Sequence, residues 1–312
     1  MEKIEFSHYS VMKSECIEAL AIKENGIYVD CTCGGAGHSL EIVKRLKGGK
    51  LIAIDQDADA LKAAAQRLAG YEDRYIAVKS NFSEVEGVLR SLNVEKIDGA
   101  LIDLGVSSYQ LDTAERGFSY MKDAPLDMRM DQSQSFSAYE LVNGYSEQEL
   151  KRVLYDWGEE KFAPQIARAI VKARNEKPIE TTVELSELIK SAMPAKAKVG
   201  GHHPAKRSFQ AIRIEVNKEL DIIEPTLRAL IYALAPGGRL AVITFHSLED
   251  RITKKTFASL AKGCTCPPSF PVCVCGNKPQ IKLLDKGSAP SDRELEENPR
   301  SRSARLRTAE KI

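Results

Sequence analysis

The sequence predicts an α/β fold in which a doubly wound parallel sheet is interrupted by a helical domain. Three short apolar runs each end in an acidic residue, and helical patterns separate them. These runs lie at 26–30, 50–55 and 97–103. A long middle stretch has helical patterns only, after which the strand pattern returns. Since ligands of parallel sheets bind at the carboxyl ends of the strands, we expect Asp30, Asp55 and Asp103 at one ligand-binding edge.

Composition places the chain among globular proteins. Of its 312 residues 43% are hydrophobic and 29% charged, so a sizeable core is available, and disordered, collagen-like and disulfide-rich classes are excluded. No apolar run has the length of a membrane span, and the first residues contain no apolar signal core. Seven cysteines, an odd number, predict a soluble cytoplasmic protein with reduced thiols. With a net charge of +1, any nucleic-acid surface must be local.

The segment after the first strand has the composition of a ligand-binding turn. Cys31-Thr-Cys-Gly-Gly-Ala-Gly-His-Ser39 opens a helix that extends to Leu46. Glycines let the backbone approach a ligand, and the free amides at a helix start favour negative charge. Asp55 ends the next strand, 21 residues after Gly34. That spacing suits a carboxylate that bonds the two ribose hydroxyls of an adenosine-containing cofactor.

The middle of the chain, 111–207, is expected to form an all-helical domain inserted between two parts of a sheet domain, 1–110 and 208–312. Three capping boxes support it, because each pairs a Ser or Thr with a Glu that satisfies the first amides of a helix. They are Ser137 with Glu140, Ser146 with Glu149, and Thr181 with Glu184. Beyond the insert the pattern predicts an amphipathic helix, a turn and a buried strand at 220–234, 235–239 and 240–246.

Two kinds of cofactor suit a glycine loop of this type. The dinucleotide fingerprint G-x-G-x-x-G is incomplete, because Leu40 stands where Gly or Ala is expected. The loop and Asp55 are instead typical of S-adenosylmethionine-dependent methyltransferases. In these enzymes an apolar ring at Phe82 would cover the adenine, and Asp103 would lie beside the methyl donor. A nicotinamide-dependent oxidoreductase and a non-catalytic RNA-binding protein of ribosome assembly remain as alternatives.

Seven stretches, in one order over nearly the whole chain, resemble the bacterial ribosomal RNA small subunit methyltransferase H family, also called MraW. They are DCTCGGAGHS (30–39), DLGVSSYQLD (103–112), RGFSY (116–120), PLDMRMD (125–131), RSFQAIRIEVN (207–217), TFHSLEDR (244–251) and NPRSRSARLR (298–307). The resemblance implies a Rossmann-like class I methyltransferase sheet with an inserted all-helical domain that recognises the substrate. It also implies S-adenosylmethionine as cofactor. The implied reaction is methylation of the exocyclic N4 amine of a specific cytidine in the decoding region of 16S rRNA within the small ribosomal subunit.

The resemblance also assigns residues to the cofactor. Together with the glycine loop it predicts contacts from Gly34, Ala36, Gly37, His38, Asp55, Phe82, Asp103 and Gln110. Ala36 stands where many members have glycine, and we expect its methyl group to be tolerated at a negative φ. Because the lone pair of cytosine N4 is delocalised into the ring, the reaction needs an acceptor for the amine hydrogens. Asp103 is the best candidate for this catalytic role; it serves both the cofactor and the amine, or the acceptor lies elsewhere.

Three other groups of residues invite a functional interpretation. Two C-x-C pairs, Cys264 with Cys266 and Cys273 with Cys275, either hold zinc or form a loop of reduced thiols. His246-Ser247 is interpreted as a strand-end turn with Ser247 as helix N-cap, because the hydrolase motif G-x-S-x-G is absent. A basic tail with no acid before Glu310, and a basic loop at 196–207, are expected to face RNA phosphates. The tail contains Arg300, Arg302, Arg305 and Arg307, and the loop contains Lys196, Lys198, His202, His203, Lys206 and Arg207.

Overall fold

The computed structural model describes residues 10–195, 203–264, 266–267, 270–272 and 274–312. The chain divides into two compact units, a sheet unit that comprises Met1–Gly105 with Leu220–Ile312 and a helical unit, Val106–Glu219. The second boundary lies between Glu219 and Leu220, whereas the sequence placed it after residue 207. The reason is that the helix Lys206–Asn217 packs Phe209 and Ile212 into the core of the helical unit.

The described part of the sheet unit contains a seven-stranded sheet in the order β3-β2-β1-β4-β5-β7-β6. The strands are β1 (Ile27–Asp30), β2 (Lys50–Asp55), β3 (Tyr75–Lys79), β4 (Ile97–Asp103), β5 (Leu234–Thr244), β6 (Ile281–Leu283) and β7 (Arg305–Lys311). Strands β1 to β5 are parallel, whereas β7 runs antiparallel between β5 and β6. The strand order reverses between β1 and β4, which is where doubly wound sheets bind ligands. The predicted α/β class is confirmed.

Helices cover this sheet and build the second unit. They are α1 (Lys13–Leu20), α2 (Gly37–Arg45), α3 (Ala58–Arg67), α4 (Val85–Ser91), α5 (Ser108–Asp112), α6 (Ala138–Gly144), α7 (Glu147–Asp156), α8 (Ala163–Arg174), α9 (Thr182–Ala192), α10 (Lys206–Asn217), α11 (Ile223–Ala233), α12 (Ser247–Ala261) and α13 (Asp292–Glu297). Leu51–Ile54 in β2 are at most 1% exposed, as expected for a parallel strand with both faces covered. Within the described residues, no helix has both the length and the apolarity needed to cross a membrane.

The helical unit is held together by capped helices and one buried carboxylate. All three predicted capping boxes are present, at the starts of α6, α7 and α9. Glu215 on α10 accepts hydrogen bonds from Trp157 Nε1 at 2.7 Å, Tyr145 Oη at 3.1 Å and Lys218 Nζ at 2.8 Å. Tyr145 and Trp157 join α10 to the segments that follow α6 and α7, and all three donors satisfy a side chain that is costly to bury unpaired.

The C-terminal segment differs from the predicted basic tail. Residues Pro299–Ser303 form a 3-10 helix and β7 follows, so this part of the chain is ordered structure. Arg307 forms a bidentate ion pair with Asp250, with N–O distances of 2.7 and 3.0 Å. Arg307 is therefore paired with an acid that is distant in the sequence, which the expectation of a phosphate-facing tail did not include. Asp250 is 57 positions away along the chain and is brought close by the pairing of β5 with β7.

Two local expectations near β5 also need correction. The 235–239 segment is not a separate turn, because β5 begins at Leu234 and passes through it with a register shift against β4. Ser247 is the first residue of α12, and His246 is its N-cap. The interpretation of His246-Ser247 as a strand-to-helix turn still holds.

Candidate active site

Three carboxylates stand at the strand ends where the sequence placed them. Asp30, Asp55 and Asp103 are the last residues of β1, β2 and β4. These strands are neighbours in the order β2-β1-β4, so the three residues share the carboxyl edge of the sheet. A ligand bound at the reversal of strand order meets this edge.

Asp55 is held against the glycine loop. The Gly34 N–H donates to Asp55 Oδ2 at 2.7 Å, and the Asp57 N–H donates to Oδ1 at 2.9 Å. Burial raises the pKa of the Asp55 carboxyl to about 6, although both N–H donors act in the opposite direction. The predicted pair of loop and acid, 21 residues apart, is thus in direct contact.

The turn that opens α2 is tighter than the sequence indicated. Ala36 has φ 57 and ψ 30, so the expectation of a negative φ was wrong. Ala36 is the N-cap of α2, and the turn from β1 requires a left-handed residue there, as it does at Gly34 with φ 50. A left-handed conformation costs a residue with a Cβ about 1–2 kcal/mol.

Gly37 packs closely against Ser10. A Cβ at Gly37 would lie 1.8 Å from Ser10 Oγ, well inside contact distance. Ser10 therefore packs against the glycine loop, which is also the segment that we expect to contact a ligand. Arg67 on α3 adds a further support, because its Nη1 donates to the Gly35 carbonyl at 2.9 Å. Sequence reasoning missed both Ser10 and Arg67, since neither belongs to a local motif.

Asp30 anchors the start of α2 to the end of β1. Its side chain is 1% exposed and accepts hydrogen bonds from Ser39 Oγ at 2.6 Å and the Thr32 N–H at 3.2 Å. Burial raises the pKa of this carboxyl to about 6, against the effect of its two donors. Thr32 also ties the loop to β4, because its Oγ1 accepts from the Asp103 N–H at 2.7 Å.

Asp103 and His38 face one another at the same edge. The Nδ1 atom of His38 lies 4.0 Å from Asp103 Oδ2, while its Nε2 atom is 3.0 Å from the Val11 carbonyl oxygen. Asp103 Oδ1 is buried without a hydrogen-bond partner among the described residues. Burial, together with the charges of Asp30 and Glu249, raises the pKa of Asp103 well above its usual range. A hydrogen-bond donor or a positive charge beside this carboxyl would therefore favour its ionised form.

The other two predicted cofactor residues lie at helix starts. Phe82 begins a 3-10 helix, Phe82–Glu84, directly after Asn81, whose Nδ2 donates to Gln56 Oε1 at 2.7 Å. This pair links the ends of β2 and β3, next to Asp55. Gln110 belongs to the helical unit, where it completes the capping box of α5: its Oε1 accepts from the Ser107 N–H at 3.0 Å.

The remaining residues singled out by the sequence have structural surroundings of their own. Glu249 Oε2 accepts from the Phe245 and His246 amides, and its Oε1 lies 3.1 Å from His246 Nε2, so this group braces the start of α12. His203 stacks on Tyr120 with ring centroids 4.5 Å apart. Cys264, Cys266 and Cys275 lie together. Lys196, Lys198, His202 and Cys273 lie outside the described residues.

Comparison with known proteins gives matches over nearly the full chain. The sequence profile of the MraW methylase family matches residues 5–312. A ribosomal RNA small subunit methyltransferase H from Clostridium botulinum (strain Loch Maree) is 58% identical over 99% of this chain and 100% of its own. A protein called ribosomal RNA small subunit methyltransferase H 2, from Agathobacter rectalis, is 57% identical over 99% of each chain. Among solved structures, a rRNA methylase from Streptococcus thermophilus has a TM-score of 0.43 and 13% identity, with 96% of this chain and 94% of that chain covered.

These sequence matches decide between the two kinds of cofactor considered for the glycine loop. A methylase family over the whole length leaves no place for the nicotinamide-dependent alternative. The chain therefore belongs to the MraW methylase family, and its cofactor is S-adenosylmethionine.

Proposed function

We propose that this protein methylates the exocyclic N4 amine of a specific cytidine in the decoding region of 16S rRNA, within the small ribosomal subunit. The family and the names of the 57–58% identical relatives support an rRNA of the small subunit as substrate. The observation that carries the choice of an amine is the buried Oδ1 of Asp103, an acceptor at the ligand edge with no donor among the described residues.

The residues at this edge fit the cofactor. Asp55 accepts the ribose hydroxyls, and the loop at Gly34, Ala36 and Gly37 places the amides of the α2 start toward the ligand. His38, Phe82 and Gln110 complete the expected contacts, with the Phe82 ring beside the adenine. When bound, S-adenosylmethionine supplies a methyl group activated by its positively charged sulfonium.

Asp103 is proposed to orient the amine. Cytosine N4 donates through its N–H bonds, and a carboxylate that accepts one of them turns the nitrogen lone pair out of conjugation with the ring. A positive charge next to Asp103 lowers the pKa that burial has raised, which favours the ionised carboxylate when the site is filled. The same side chain then serves both the cofactor and the amine.

Alignment is proposed to supply much of the rate acceleration. Holding the amine in line with the methyl group converts a bimolecular transfer into an effectively unimolecular one. The methylated ammonium is acidic and loses its proton without a dedicated base. Cys31 and Cys33 are buried, and burial raises their pKa values well above the usual range, which disfavours a covalent cysteine adduct.

The helical unit is proposed to recognise the RNA. Exposed Lys206 and Arg207 open α10, and Arg300, Arg302 and Arg305 are exposed on the sheet unit. Their charge suits phosphate contacts, whereas Arg307 is occupied by Asp250. The flipped or splayed cytidine would be read by stacking and by its base edge.

The decisive experiment is transfer of labelled methyl from S-adenosylmethionine to unmodified 30S subunits, followed by nucleoside analysis. We expect label in N4-methylcytidine with the wild-type protein and none with Asp55→Ala. Label in another nucleoside would reject the N4 assignment. Absence of transfer to subunits, free rRNA and DNA, despite cofactor binding, would reject the function as a whole.

A further inference from the structure

A cluster of thiols lies apart from the strand-end carboxylates, in the segment between α12 and β6. The Sγ atoms of Cys264, Cys266 and Cys275 all lie within 4.8 Å of one another, and those of Cys264 and Cys275 are 3.8 Å apart. Thiolates bound tetrahedrally to one zinc ion at about 2.3 Å lie about 3.8 Å from each other. The spacing of these thiols is therefore that of ligands around a single ion.

Backbone amides point at two of the sulfur atoms. The Cys266 N–H donates to Cys264 Sγ at 3.4 Å, and the Val274 N–H donates to Cys266 Sγ at 3.4 Å. Donation of an N–H to sulfur favours the thiolate, which is the form that binds metals. This arrangement is a second observation, independent of the spacing, that favours a metal site.

The described residues of the segment that carries these cysteines have little apolar burial to order them. Its base is fixed by Asn277 Nδ2, which donates to the Gly263 carbonyl at 2.9 Å, and by the Gln280 N–H, which donates to the Leu260 carbonyl at 2.8 Å. Between these points the apolar side chains are largely exposed: Phe270 by 50%, Val272 by 69% and Val274 by 73%. A segment without a core of its own needs another source of order, and a bound metal supplies it in many small zinc modules.

We propose that Cys264, Cys266 and Cys275 bind a structural Zn²⁺ ion. Soft thiolate ligands in a tetrahedral arrangement favour zinc over divalent ions that prefer oxygen or nitrogen ligands. Cys273 lies outside the described residues, so the proposal rests on the other three thiols. The ion orders the 264–275 segment and takes no part in methyl transfer.

The first test measures metal content. Protein purified from zinc-containing medium and dialysed into metal-free buffer is expected to hold about one equivalent of zinc by mass spectrometry. The double variant Cys264→Ser, Cys266→Ser is expected to hold less than about a tenth of an equivalent. Val272→Ser changes an exposed side chain of the same segment and keeps all thiols, so it serves as the matched control and is expected to retain zinc.

A second readout guards against a double variant that fails to fold. Wild-type protein stripped with a chelator and reloaded with Co²⁺ is expected to show sulfur-to-cobalt charge transfer and the visible bands of a tetrahedral site. Native thiols are expected to react faster with Ellman's reagent after the chelator than before. Wild-type protein with less than about a tenth of an equivalent of zinc, no cobalt bands and the same thiol reactivity with and without chelator would overturn the proposal.

Discussion

The Gly34 amide donates a 2.7 Å hydrogen bond to Asp55 Oδ2, joining the glycine loop after β1 to the last residue of β2. The bond fixes the loop and the carboxylate relative to each other. A cofactor therefore meets an acceptor that is already oriented, which reduces the ordering cost of binding.

Removing this carboxylate is expected to weaken cofactor binding. Hydrogen bonds to a charged group contribute about 1.5–3 kcal/mol each, so Asp55→Asn should raise the Kd of S-adenosylmethionine roughly 10- to 150-fold. Asp59→Asn, which removes a neighbouring surface carboxylate paired with Lys62, is the matched control and should leave the Kd unchanged. Isothermal titration calorimetry measures both. Equal affinities for the two variants would contradict the assigned role of Asp55.

Cofactor affinity should also depend on pH through the same group. The pKa of Asp55 is raised to about 6, and in the role proposed for this residue the ionised form accepts the ribose hydroxyls. The affinity for S-adenosylmethionine should be highest above that pH. It should decline as the pH falls through the pKa, by about tenfold per pH unit well below it. In Asp55→Asn this part of the decline should disappear. The same profile for wild type and variant between about pH 5 and 7 would exclude Asp55 as its source.

Asp103 is expected to release a proton when a cation binds beside it. Its pKa is raised by burial and by Asp30 and Glu249, and the sulfonium of S-adenosylmethionine would lower it again. Calorimetry in two buffers of different ionisation enthalpy, repeated over a range of pH, should show proton release when S-adenosylmethionine binds. S-adenosylhomocysteine, which lacks the sulfonium charge, should release less. No difference between the two ligands, or the same difference in Asp103→Asn, would place the sulfonium elsewhere.

The close approach of Ser10 to Gly37 predicts a rescue experiment. Gly37→Ala should lower the free energy of unfolding by about 1–3 kcal/mol, because the new Cβ meets Ser10 Oγ. Adding Ser10→Gly should recover part of that loss. Gly87→Ala, where an added Cβ has open space within α4, should stabilise by up to about 1 kcal/mol. Strictly additive effects of the Ser10 and Gly37 changes would show that they do not interact.

Because Ala36 has a left-handed conformation, we expect its replacement by glycine to cause no loss in the free energy of unfolding. Relief of the backbone cost, about 1–2 kcal/mol, offsets the loss of one buried methyl group, about 0.8 kcal/mol, so Ala36→Gly should cause no net loss of stability. Ala65→Gly, at an exposed position within α3, should lose about 1 kcal/mol. Urea unfolding of both variants tests this. A loss at Ala36 as large as that at Ala65 would contradict the account.

The predictable part of the site is the part encoded locally. The apolar runs that end in Asp30, Asp55 and Asp103 identified three strands and the edge they share, since strand length and alternation are short-range properties. Capping boxes gave the starts of α6, α7 and α9 for the same reason.

Features that depend on contacts between residues far apart in the chain could not be predicted from the sequence. Arg307 reads as free basic charge until β7 pairs with β5 and brings Asp250 to it. Ser10 is 27 positions from Gly37, and no local pattern reports that they touch. The positive φ of Ala36 is set by the geometry of the turn. Alanine has no strong turn preference, so its presence in the sequence does not indicate this conformation.

The place of β7 in the sheet has a consequence for how the protein is made. β7 is the last strand of the sheet in chain order and lies between β5 and β6, so β5 can complete its pairing only once residues 305–311 have been synthesised. Until then β5 exposes an unpaired, apolar edge of the kind that promotes association between chains. β7 is thus an interior strand of the sheet, and a nascent chain that stops shortly before residue 305 would keep that edge open.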